Sequence, residues 1–146
     1  MQAEKWFSDV VVVDMKGFVV SLEAEARRNG DFRRVLYTGK HSQLVLMNLK
    51  PGEEIGMETH SDVDQFFRFE DGEGKVIIDG VEHLVRDGTG VIVPSGAKHN
   101  VVNTSKGSEL KLYTIYSPPE HQDMVVRHTK AEALAKEEHF EGKTSE

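Results

Sequence analysis

The chain has no cysteine. That absence removes disulfides, thiolate metal sites and cysteine nucleophiles together, so any metal must be held by nitrogen and oxygen. Long apolar runs are missing too, and no stretch approaches the ~20 residues needed to cross a bilayer. The opening "MQAEKWFSDV" lacks the charged-then-apolar order of a secretory leader. Positive charge is scarce: 18 Lys and Arg stand against 25 Asp and Glu, a net charge of −7. That balance argues against nucleic-acid or anionic-membrane partners, which call for a basic face. There is no internal repeat and no low-complexity linker. The expectation is a cytoplasmic protein whose partner is a small-molecule substrate or ligand.

What is present suits one domain over residues 1–146, since domains cluster near roughly 100–150 residues. Two helices are legible. "SLEAEARRNG" predicts a helix over Ser21–Asn29, with Ser21 as N-cap and Gly30 as a left-handed stop. "TKAEALAKEEHF" predicts a second over Thr129–Glu138, opened by the capping box Thr129 with Glu132. The tail at 141–146 reads as frayed. Between the helices run short strand-like segments, from "FRRVLYTG" through "EIGMETH", "DQFFRFE" and "HNVVN" to "ELKLYTIYS". Asp79-Gly80 is a strong two-residue hairpin signal. Many short strands at this spacing predict an all-β barrel or sandwich.

Two polar clusters interrupt the strand pattern. Alternation puts Glu58 and His60 on one face of "EIGMETH". Gln65 opens the next strand on one face with Phe67 and Phe69, a costly place for an amide that has no partner. Further on, Val91 and Val93 lead to the turn at Pro94 and Gly96. His99 then starts a strand with Val101 and Asn103 on its face.

These residues resemble the two motifs of the cupins. The first, G-x5-H-x-H-x4-E-x6-G, is met by Gly52, Glu58, His60, Gln65 and Gly72. The second, G-x5-P-x-G-x2-H-x3-N, is met at every place by Gly88, Pro94, Gly96, His99 and Asn103. The resemblance spans 52–103 and implies a jelly-roll β-barrel with one short N-terminal and one C-terminal helix. It departs from the pattern twice: Glu58 stands for the leading histidine and Gln65 for the glutamate. By the resemblance the metal ligands are Glu58, His60, Gln65 and His99, still with one carboxylate. Such a set suits a divalent Mn, Fe, Co, Ni or Zn ion without choosing among them.

Within the cupins the chain looks like the small single-domain proteins labelled mannose-6-phosphate isomerase-like. That likeness implies a divalent-metal enzyme of the sugar or sugar-phosphate isomerase type, moving a proton next to a metal-polarised carbonyl. Candidate bases are Glu54, on the Glu58 face by parity, and His121, on the stiff exit after Pro118 and Pro119. A non-haem iron dioxygenase using His60, His99 and Glu58, and a non-catalytic binding cupin, stand as alternatives. His41, His83, His128 and His139 read as surface or strand histidines. Phe66, Phe67, Phe69, Tyr113 and Tyr116 read as core or dimer contacts, and the apolar Phe66 beside Phe67 suggests a homodimer. Arg33, Arg34, Lys40, Arg68 and Lys98 could bind an anionic substrate, but such scattered basic residues read as a solvated face.

Overall fold

The computed structural model describes residues 14–146 and the short pair β1 (Glu4–Lys5) and β2 (Val11–Val12). Helix α1 (Leu22–Arg28) leads into β3 (Arg33–Thr38) and β4 (Gln43–Leu49). Then come β5 (Glu58–Thr59), β6 (Asp64–Asp71), β7 (Glu73–Ile78), β8 (Val81–Arg86), β9 (Gly90–Val93) and β10 (Lys98–Asn103). Strands β11 (Leu110–Ser117) and β12 (Val126–Arg127) and helix α2 (Lys130–Ala135) complete the order. A six-stranded antiparallel sheet runs β12-β3-β4-β11-β6-β9, and a four-stranded one runs β5-β10-β7-β8.

The core lies between the two sheets because both present alternating apolar rows inward. On β6 these are Phe67 and Phe69; on β11, Leu110 and Leu112; on β4, Val45, Met47 and Leu49; on β7 and β10, Val76 and Val101. Burying each such side chain contributes about 1.5–3 kcal/mol against the cost of ordering the chain. Two turns depend on glycine. Asp79 (φ 46°) and Gly80 (φ 83°) make the expected hairpin between β7 and β8. Gly72, at φ 94°, lies so close to the Glu109 carbonyl that a Cβ there would collide with it.

Several sequence expectations change. Ser21 makes no side-chain cap, and α1 stops at Asn29, which is extended. Its amide Oδ1 accepts from Asp31 N, so Gly30 has no left-handed role. Helix α2 does cap through Thr129 Oγ1, which accepts from Glu132 N, but it ends three residues before Glu138. Glu138 instead turns inward, as described below. The tail is held in place: Ser145 N donates to Thr38 O, and the Glu146 carboxylate accepts from Tyr37 Oη and the backbone of Lys16 and Gly17. Most of "EIGMETH" is not ladder, because Gly56 at φ 113° breaks it and leaves only Glu58–Thr59. Among the described residues, no helix is long and apolar enough to cross a membrane.

Candidate metal centre

Register brings the polar clusters together. Strand β5 pairs with β10 so that Glu58 lies opposite His99. His60, two residues on, turns its ring toward His99, with centroids 5.4 Å apart. Gln65 arrives from the other sheet, at the head of the inward row it shares with Phe67 and Phe69. It is paired with Tyr116 across β6–β11. One donor atom from each of Glu58, His60 and His99 lies within 4.8 Å of the others. His60 Nε2 is 3.1 Å from Glu58 Oε2, and His99 Nε2 is 3.2 Å from Gln65 Oε1. Ligands bound at about 2.0–2.2 Å stand roughly 3–3.5 Å apart around an ion, so these separations fit one divalent cation.

The surrounding hydrogen bonds aim these donors at one point. His99 Nδ1–H donates to Ala97 O at 3.0 Å, which leaves Nε2 with its lone pair facing the site. Gln65 Nε2 donates to Thr114 Oγ1 at 3.0 Å, which turns the amide oxygen toward His99. Two acceptors meeting at 3.2 Å repel unless a cation or proton lies between them. That contact is the observation that best fits the donor set to a metal. His60 Nδ1 faces Glu120 Oε1 at 3.6 Å, a carboxylate placed to orient and enrich the imidazole.

Electrostatics follow from the crowding. Burial alone would push the Glu58 carboxyl up. The hydrogen bond with His60, with the charges of His60, Arg33 and His99, outweighs it and holds Glu58 below its usual value. The Glu58 hydrogen bond raises His60 against the opposing effect of burial.

A cleft of about 150 Å³ opens beside the cluster, lined by Glu58, His60, Glu120 and His121, with Arg33 behind and α2 at its rim. His121 is buried here. Its Nδ1 lies 3.1 Å from Glu138 Oε1 and its Nε2 3.2 Å from Tyr116 Oη. Burial lowers the His121 pKa more than Glu138 raises it, so the ring is neutral near pH 7. Burial keeps Tyr116 protonated well above the usual phenol range. Tyr116 packs edge-on against His60, with centroids 6.1 Å apart.

Glu54 is a correction: it is exposed, bridges only to Val102 and does not line the cleft. The break at Gly56 cancels the parity that linked it to Glu58. Arg33 is a second correction, since it is buried rather than solvated. Tyr116 was legible only as a core aromatic, although alternation along "ELKLYTIYS" places it on the inward row. Glu120 adjoins His121 in "SPPEH", which was a usable local signal. Glu138 had none, because it follows a helix with ordinary surface composition.

The Cupin domain family model matches residues 45–116, the segment carrying all four donors, Glu58, His60, Gln65 and His99, and the β11 tyrosine. The chain is a cupin. It is 46% identical over 129 residues to the uncharacterized protein YrkC of Bacillus subtilis, covering 84% of this chain and 69% of that one. It is similar to the crystal structure of BH2720 from Bacillus halodurans, with 43% identity and a TM-score of 0.81 over 83% of this chain and 96% of that one. An RmlC-like cupin from Shewanella frigidimarina shares the fold, with 24% identity and a TM-score of 0.54 over 59% of this chain and 74% of that one.

Proposed function

We propose that this cupin is a divalent-metal enzyme of the sugar or sugar-phosphate isomerase type, acting by proton transfer on a small oxygenated substrate. The observation that carries the reading is the Tyr116–His121–Glu138 chain beside the Glu58, His60, Gln65 and His99 cluster. Those four residues would hold the ion, which when bound would polarise the substrate carbonyl.

The chain's own residues supply the acid–base work. Tyr116 Oη takes the proton from the carbon beside the carbonyl as its own proton passes to His121 Nε2. Nδ1–H of His121, donating to Glu138, stabilises the imidazolium that forms. The hydroxyl proton on that carbon passes to the former carbonyl oxygen, and return of both relayed protons, with the carbon proton delivered to the former carbonyl carbon, completes the isomerisation without loss of atoms. Glu120 steadies His60 throughout. The same reading pairs two copies through the outer sheet face, where Ile92 is 71% exposed beside Phe66 and Tyr113.

Two histidines and one carboxylate also favour a second reading, a non-haem iron dioxygenase, in which Gln65 stands aside. The test is protein purified without added metal and assayed in D2O against aldose and ketose phosphates, with oxygen uptake followed in parallel. Solvent deuterium entering the substrate, lost in Tyr116→Phe with metal content unchanged, is the expected result. Oxygen consumption without deuterium exchange would overturn the isomerase in favour of the dioxygenase.

A further inference from the structure

Arg33 is a buried cation that the protein leaves without a hydrogen-bond acceptor. It opens β3, is 9% exposed, and lines the same cleft as Glu58, His60 and His121. Its guanidinium carbon sits 5.4 Å from the centroid of the Phe32 ring, which fixes its plane. A guanidinium presents five N–H donors in a rigid fork. Among the described residues, no protein group accepts a hydrogen bond from it. Nε is buried without a partner, and the nearest carboxylate oxygen, Glu138 Oε1, is 3.6 Å from Nη1. That oxygen is already engaged by His121 Nδ1, and the other Glu138 oxygen lies 3.4 Å from Arg127. A buried charge with open donors calls for an acceptor from the cleft.

We propose that Arg33 is the anion-recognition group of the cleft and binds a small oxyanion, carboxylate or phosphate, on a ligand whose other oxygens face the Glu58–His60–His99 cluster. The inference rests on the metal-centre reading given above and names the substrate class for that same site. The guanidinium fork matches the paired oxygens of both groups, with two parallel N–H···O bonds. The cleft is small beside the roughly 300–1,000 Å³ sites that take drug-sized ligands, which restricts the occupant to a small acid or phosphate ester. Glu58, Glu120, Glu137 and Glu138 also line it, so an anion is repelled everywhere except against Arg33, Lys130 at the rim, and the ion. Anion binding is therefore expected in the metal-free chain through Arg33 and to be stronger in the metal-loaded one.

The test uses the full zinc-loaded chain titrated with malonate, inorganic phosphate or the neutral malonamide, followed by calorimetry and by the Arg33 Nε–H resonance. The expected result is saturable binding of malonate or phosphate that moves the Arg33 signal, with no effect of malonamide. Malonate alone marks a carboxylate ligand, and phosphate alone a phosphate ester. Arg33→Gln should weaken the anion at least tenfold with zinc stoichiometry unchanged. Arg33→Lys should recover only part of the loss, because a point charge replaces the fork. Anion binding unaltered in Arg33→Gln, or a wild-type Arg33 signal that does not move, overturns the inference while the metal centre stands. Should the Gln variant fail to fold, the wild-type resonance decides alone. If the chain takes no zinc, the metal reading fails by itself, and the metal-free titration decides the Arg33 inference by the same signal.

Discussion

The two ends of the barrel interior are built by the same strands and do opposite work. Along β6 the inward row runs Gln65, Phe67, Phe69; along β11 it runs Leu110, Leu112, Thr114, Tyr116. Antiparallel register sets Gln65 against Tyr116 at the mouth and Phe69 against Leu112 at the closed end. At the closed end Phe69, Leu110 and Leu112 are apolar and fully buried, and the buried Asn103 amide donates to the backbone carbonyls of Leu49, Lys50 and Ser108, so that end supplies stability. At the mouth the rows turn polar, and each buried group is held by a hydrogen bond that also aims it. The lesson is a division of labour: apolar packing at one end lets the other end carry groups that are expensive to bury.

The comparison breaks most sharply at the histidines. His60→Ala or His99→Ala is expected to reduce divalent-metal stoichiometry from about one per chain to near zero, read by elemental analysis. The metal-free barrel should remain folded by circular dichroism. Unfolding of the metal-free wild type would instead show that the mouth helps hold the closed end together.

Phe69→Ala should do the reverse. Emptying a fully buried phenylalanine site costs about 3–5 kcal/mol in a denaturant titration, while the folded fraction keeps its metal. Metal loss in parallel with stability would erase the distinction between the ends.

Smaller effects sharpen the mouth. Glu120→Gln removes the carboxylate facing His60 Nδ1 and should weaken metal affinity about 10-fold without changing the melting temperature of the metal-free chain. Gln65→Ala should weaken it less, by about fivefold or ~1 kcal/mol, because the amide oxygen carries no charge. An effect of Gln65→Ala as large as that of His99→Ala would make the glutamine a principal ligand.

Acid provides the gentlest probe. The Glu58 hydrogen bond raises His60, so protons compete for its Nε2 at a higher pH than for an ordinary histidine. Metal occupancy should thus begin to fall above ~6.5, the unperturbed histidine value, as pH is lowered. In the metal-free chain the sign is fixed by the same pair. The raised His60 contributes stability that is full below its unfolded pKa and lost as pH rises through its folded one. The depressed Glu58 contributes stability present above its unfolded pKa and lost as pH falls through its folded one. Stability of the metal-free chain should therefore peak between those two values, checked by thermal melts across that range.

The sequence by itself determined the Asp79-Gly80 hairpin and most of the strand pattern, because alternation and turn chemistry are local properties of the chain, and the motif resemblance picked out Glu58, His60 and His99, which lie together, with Gln65 beside His99. The helix ends and the tail escaped it, since Glu138, Ser145 and Glu146 are placed by partners far away in sequence. Glu54 was misplaced because a single positive φ at Gly56 resets which way the following side chains point. Tertiary structure alone decided that Tyr116, Glu120, His121 and Glu138 gather around the Glu58–His60–His99 cluster, and that Arg33 is buried beside them. Sheet pairing across β3, β11 and the C-terminal segment creates that neighbourhood, and no spacing within one strand encodes which strand lies beside it.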